Sequence, residues 1–154
     1  MTITINGFDR VSIRSAIRQL QKLRQTKTSE ACMAIAEFGA RWAQAEFSHA
    51  EYDGTNDVKV VAESTASGAR VRASGHATWF IEYGAGALRG YGHPRPDGLG
   101  PGTYNPASDN WKNPNGWYYA HGKRSWGNPP AAAMFHAEQA MKDHANEIVN
   151  GVFK

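Results

Sequence analysis

The sequence predicts an α+β fold, a small and mainly antiparallel twisted sheet packed against two or three helices. Three observations point there. Apolar residues recur at three- and four-residue steps near both ends of the chain, as on the buried side of a helix. Two short alternating runs flank a Ser-Gly turn in the middle, as in a hairpin. Between the sheet and the last helix lies a long stretch of Gly, Pro and aromatic residues.

The elements follow in chain order. Residues 1–8, MTITINGF, alternate Ile3 and Ile5 with Thr before Gly7, which reads as a short strand and turn. From Ser12 a helix is expected, with Ile13, Ala16, Ile17, Leu20 and Leu23 along one side. Arg10, Arg14, Arg18 and Lys22 fall four apart, so the last three form a basic row beside that apolar stripe. A second helix is expected from Ser29, as N-cap, to about His49, carrying Cys32, Ile35, Ala36, Gly39, Trp42, Ala43 and Phe47 on its apolar positions. Cys32 reads most simply as a small core residue. Asp53-Gly54 breaks the pattern.

Val58, Val60 and Ala62 then alternate with Lys59 and Glu63, and Val71 and Ala73 with Arg70 and Arg72, around Ser67-Gly68. The aromatic run 77–83, ATWFIEY, reads as a third strand. Near the end, Asn128-Pro129-Pro130 opens a helix, since Pro is tolerated in a first turn. Ala132, Phe135, Ala140 or Met141, His144 and Ile148 share its expected buried side, and Gly151 is its expected stop.

Length and composition bound the class. A chain of 154 residues suits one domain, 1–154, because a chain of that size buries roughly 70% of its unfolded surface. Cys32 is the only cysteine, which excludes a disulfide scaffold. No run approaches the roughly 18 apolar residues that a membrane span needs. Residues 1–20 lack the apolar centre of a signal peptide. The expectation is a soluble protein made in the cytoplasm, without a membrane partner.

Charge is concentrated at one end. Residues 1–27 hold six basic groups against Asp9, a net of +5, while residues 28–154 hold 11 basic against 13 acidic groups, a net of −2. A local basic element suits nucleic acid, an anionic membrane or an acidic protein surface, and a solvated helix face is the plainer reading.

The stretch 84–129, an extended loop insertion, is the most informative. It contains ten of the 16 Gly and six of the seven Pro, and no Val, Ile, Met or Phe. It cannot supply an aliphatic core. Yet it carries Tyr91, Tyr104, Trp111, Trp117, Tyr118, Tyr119 and Trp126, whereas disordered linkers are poor in aromatics. Loops beyond about 15 residues are usually functional or disordered. These seven rings are the expected subunit interface, because Tyr and Trp give large contact area at modest entropy cost. A flap packed on its own domain is the plainer alternative.

Catalytic signals fail on spacing. Gly84, Gly86 and Gly90 miss the dinucleotide pattern, and Tyr91-Gly92-His93-Pro94 stands where a helix should begin. Residues 116–124 have one residue too many for a phosphate loop, and Arg124 replaces the magnesium-binding hydroxyl. His49, His76, His93, His121, His136 and His144 form no H-E-x-x-H pair and lack a Cys partner set for zinc. A dispersed Ser/His/Asp site at His76 or His121 finds no supporting G-x-S-x-G elbow. No enzyme, cofactor or metal is expected.

One stretch resembles a known family. Ala77 through Tyr83, then Gly84-Ala85-Gly86, then His93-Pro94, is similar to a signature of tailed-phage neck proteins. These are the tail-completion, or head–tail joining, proteins typified by gene product ten of a lambdoid phage. Their pattern is an aromatic strand ending in Glu-Phe-Gly-Thr-Gly, a His-Pro loop, and a C-terminal helix preceded by Pro and containing Phe. Here Tyr83 replaces Phe and Ala85 replaces Thr, and Pro130 through Phe135 with Ala137 match the helix entry. The opening ITINGF with its Leu-spaced helix also resembles the family's start.

The resemblance implies a structural virion protein at the head–tail junction or tail end, made in a bacterial host. It implies a ring of identical subunits, often six, around the DNA channel. Partners would be further copies, other neck and tail proteins, and non-specific contact with packaged DNA. Its motif residues here are Trp79, Phe80, Glu82, Tyr83, Gly84, Gly86, His93 and Pro94. Glu82 reads either as a solvated carboxylate or as a partner for an Arg across the sheet or a subunit boundary, with a structural role favoured. The Gly84 and Gly86 backbones are free to turn the chain sharply out of the sheet. A nucleic-acid-binding module, using the basic helix and the aromatic loop with Arg89, Arg95, Lys112, Lys123 and Arg124, is the alternative.

Overall fold

A single long helix organises the molecule. The structure, a computed structural model, describes residues 10–52, 54–85, 92–94, 117–118, 124–125 and 127–154. The expected strand at 1–8 lies outside them, as do Gly86, Tyr91, Tyr104, Trp111, Tyr119 and Trp126 of the sequence-derived site sets.

Where two helices were expected there is one, α1, Arg10–Ser48. Ser29 does not cap a new start. Its hydroxyl bonds back to the Gln25 carbonyl at 3.1 Å, and that of Thr28 to the Arg24 carbonyl at 2.8 Å. Back-bonding of this kind lets hydroxyl residues sit inside a helix, and Lys27 spans the same turn to Glu30 at 2.8 Å. The helix ends where the Asn56 side-chain amide donates to the Phe47 and Ala50 carbonyls.

The expected hairpin forms. β1, Lys59–Thr65, pairs antiparallel with β2, Gly68–Ser74, from Lys59 opposite Ser74 to Thr65 opposite Gly68. Both strands lie on α1. Gln44 of α1 serves the strand's entry with both ends of its amide, donating to the Val58 carbonyl and accepting from the Val60 amide. That satisfies backbone groups an edge strand would otherwise expose.

Residues 77–83 are not a strand. They form α2, Thr78–Tyr83, because Ala77 and Ile81 must both enter the core and lie four apart. A short apolar run leaves strand and helix undecided on pattern alone. Two two-residue strands, β3 (Trp117–Tyr118) and β4 (Arg124–Ser125), pair antiparallel within the stretch read as loop.

The last helix, α3, is Ala133–Val152 and packs along α1. It starts later than Asn128-Pro129-Pro130, and Gly151 lies inside it rather than beyond it. Its buried residues are Ala133, Ala137 and Ala140, so the stripe is turned from the expected one; Phe135 is half-buried and His144 exposed. Ala132, just outside, is buried with φ 50°, a left-handed conformation that costs a non-Gly residue roughly 1–2 kcal/mol.

The core gathers Ala43, Phe47, Val58, Ala77, Ile81, Ala133 and Ala137, with Phe47 and Ile81 its largest fully buried side chains. Small residues bring the helices close, and Gly39 sits directly under the Met141 side chain. Cys32 is half-buried beside the hairpin turn at Gly68, at the margin rather than the centre.

Candidate functional site

The motif residues converge on one carboxylate. Glu82, in the last turn of α2, is the buried charged residue among those described, with its side chain 7% exposed. One oxygen, Oε2, accepts the Met134 amide at 3.0 Å; the other, Oε1, accepts the Phe135 amide at 3.4 Å. These are first-turn amides of α3, which have no partner within their own helix. Negative charge there also faces the positive end of the helix dipole. Ala132, the residue before α3, has no side-chain oxygen, so Glu82 supplies the cap from 50 residues away in sequence.

His93 completes the arrangement. Its Nε2 lies 3.2 Å from Glu82 Oε1, and its side chain is 5% exposed. A carboxylate only accepts, so the ring nitrogen facing it carries the proton. The His93 ring lies against Tyr83, centroids 4.4 Å apart, and presents its edge to Phe135 at 6.4 Å. Trp79 stacks on Tyr83 at 5.6 Å and is itself 53% exposed. Phe80 points elsewhere, stacked on Tyr52 at 4.0 Å. Glu82 is therefore buried rather than solvated, and among the described residues of its own chain it meets no Arg. It fastens three segments of its own chain.

Backbone bonds close the same junction. Ile81 and Glu82 carbonyls accept the Ala131 and Ala132 amides at 2.8 and 3.1 Å, and Ala85 and Asn128 exchange both of theirs at 2.9 and 3.0 Å. The Asn128 side-chain amide also donates to the Phe80 carbonyl at 2.8 Å. The two ends of the long insertion thus meet as a hydrogen-bonded pair. Gly84, at φ 78°, makes the bend that admits this pairing, at the end of helix α2 and not at the sheet exit expected of it.

Entry to α2 is fixed by Asp57, whose carboxylate accepts the His76 amide at 2.6 Å and the Ala77 amide at 2.9 Å. The Ala77 bond, then that from His76, holds the Asp57 pKa below its ordinary value. Gly75 stands at φ 146°, and a Cβ there would fall 2.7 Å from the Asp57 carbonyl oxygen, so this turn requires Gly. On the hairpin, Glu63 bonds Arg70 at 2.7 Å and Arg72 at 2.8 Å. The Arg70 bond leads in lowering the Glu63 pKa.

A cavity of about 460 Å³ opens beside the junction, lined by Cys32, Ile35, Val71, Met134 and Met141, with Glu82 and His93 on its wall. Among the described residues no His, Cys, Asp and Glu group fits a metal ion. Nor is any described helix long and apolar enough to cross a membrane.

The sequence-derived sets fare unevenly. Glu82, Tyr83, Gly84 and His93 come together, Trp79 flanks them, and Pro94 follows at the surface. Of the interface set, Trp117 and Tyr118 are the members described, as β3. Arg14, Arg18 and Lys22 are exposed along α1, whose first residue is Arg10. Gln44 and Asp57 escaped sequence reading, since each acts on backbone groups of a distant segment. Comparison with protein-family models, curated proteins and solved structures finds no match to this chain.

Proposed function

We propose that this chain is a structural virion protein of a tailed phage or prophage, a tail-completion or head–tail connector component. Its copies assemble into a ring around the DNA channel, in contact with other neck and tail proteins, and it is not an enzyme. The observation that carries the reading is the junction at Glu82. The residues that resemble the neck-protein signature are the ones that clamp the base of the long insertion onto α3. Such a clamp presents an aromatic-rich segment from a fixed root, as an assembly surface requires. The Glu82 oxygens are engaged by two amides and His93, which suits a fastener better than a general acid or base.

Electron microscopy of the purified chain, and of particles carrying it with a label, tests the reading. Rings in the first and label at the neck or tail end in the second are expected; label absent from virions overturns it. A nucleic-acid-binding role has its own support in the exposed row Arg14, Arg18 and Lys22. Changing all three to Gln should flatten the salt dependence of DNA binding, because each phosphate contact contributes to that slope. An unchanged slope removes DNA from the account.

A further inference from the structure

Helix α1 is longer than the body it organises. Its contacts with α3 run antiparallel: Glu46 lies 3.9 Å from His136, Gly39 sits under Met141, and the Phe38 ring is 5.2 Å from His144. Each step back along α1 meets a step forward along α3, so the end of α3 at Val152 falls level with about residue 30. The hairpin turn reaches the same level, with Gly68 beside Cys32. The preceding twenty or so residues form an arm roughly 30 Å long at 1.5 Å per residue.

The arm has three unlike sides. One is apolar: Ile13, Ile17, Leu20 and Leu23 are exposed, Leu20 by 51%, while Ala16 among them is buried. One flank is basic, with Arg14, Arg18 and Lys22 exposed; the other carries Ser15, Gln19 and Thr26, without charge, and Arg24 and Lys27 fall on the apolar side near the body, Lys27 paired with Glu30. A helix lying on a lipid surface is expected to hold cations across its whole polar face. A polar face with cations along one flank and none along the other fits a protein groove with one acidic wall. An isolated helix of this length is marginal in water, and such a stripe is stabilised by a partner.

The body presents a matching face. Trp42, 40% exposed, lies 5.9 Å from Phe38, and Phe38 lies against His144. Beside that ring ledge on α3 stand Asp143 and Glu147, both exposed and four residues apart. That is the spacing of Arg14 and Arg18. Among the described residues neither acid has an ion-pair partner. A continuous helix cannot fold back onto its own body, and two basic arms repel each other.

We infer that the arm of one copy seats on the Trp42–Phe38–His144 ledge of a second copy, with Arg14 and Arg18 facing Asp143 and Glu147. Two different patches meet, so copies add head to tail and close as a ring where the rotation allows. The inference rests on the self-association in the reading above and names its contact.

Light scattering during size exclusion of the full chain, at low and high salt, tests it. Wild type should assemble. Arg14→Glu with Arg18→Glu, or Asp143→Arg with Glu147→Arg, should each weaken association by roughly tenfold or more while leaving the circular dichroism unchanged. Mixing the two reversed variants, which restores opposite charges across the contact, should recover assembly. Assembly unaffected by either reversal overturns this contact and leaves self-association standing. A wild type monomeric throughout overturns both. A monomeric wild type that binds added duplex DNA, or vesicles of anionic phospholipid, assigns the arm to that partner and overturns the inference as well.

Discussion

The two ends of α1 have the same kind of apolar spacing and opposite fates. In the C-terminal half, Ala36, Ala40, Ala43 and Phe47 are buried under the hairpin and α3, Phe47 completely. In the N-terminal half, Ile13, Ile17, Leu20 and Leu23 remain exposed although they are larger on average. Periodicity therefore marks a face and says nothing of whether the same chain covers it. The buried half uses small residues, which allow close helix contact, and the exposed half uses large ones, which supply more area to a separate surface.

The sharpest way to break this comparison is to cut both halves. Phe47→Ala should cost about 3–5 kcal/mol in chemical unfolding, as for other buried Phe truncations. Leu20→Ser should leave the unfolding midpoint of the monomer close to wild type. Equal losses would mean that the arm is part of the fold.

Next in size is the junction. Glu82→Ala strands the Met134 and Phe135 amides, each bonded to the carboxylate. A loss of roughly 2–4 kcal/mol is expected, read by the same titration. Hydrogen exchange should rise first at the start of α3. Protection unchanged at Met134 would show that the cap is dispensable.

The effect of Asp57 depends on pH. Its folded pKa lies below its ordinary value of 3.8, so its contribution is full above that value and fades as pH falls through the lower, folded one. Asp57→Asn should lower Tm at pH 7, and the gap from wild type should close on acidification past that range. A gap independent of pH would assign the loss to packing.

The smallest expected effect is a gain. Ala132→Gly relieves the left-handed backbone at φ 50° but adds unfolded-state entropy, so a net stabilisation of no more than about 1 kcal/mol is expected. A clear drop in Tm would show that the Ala132 methyl packs more favourably than its backbone is strained.

How much was legible follows the range of each interaction. The hairpin could be read because alternation in Val58–Ala62 and Val71–Ala73 is local, and the roots of the insertion because the Gly and Pro density changes there. Residues 77–83 look like a strand in sequence because aromatic content favours strands, while the four-residue step from Ala77 to Ile81 is too short a pattern to outweigh it. The break expected at Ser29 rested on capping preference, and back-bonding hydroxyls answered the same preference inside one helix. The motif identified Glu82 and His93 as notable, yet their contact with each other and with α3 joins residues 11 to 53 positions apart. No local pattern contains that.

The paired ends of the insertion have a practical consequence. Because Ala85 and Asn128 already sit in bonding register, with His93 fastened beside them, the body holds the root of the insertion at closely spaced points. The entropy of closing such a detour grows only logarithmically, about 0.6 kcal/mol for each doubling. Residues can therefore be added between His93 and Asn128 at little cost in closure entropy, and an engineer can splice a foreign peptide there on the same terms.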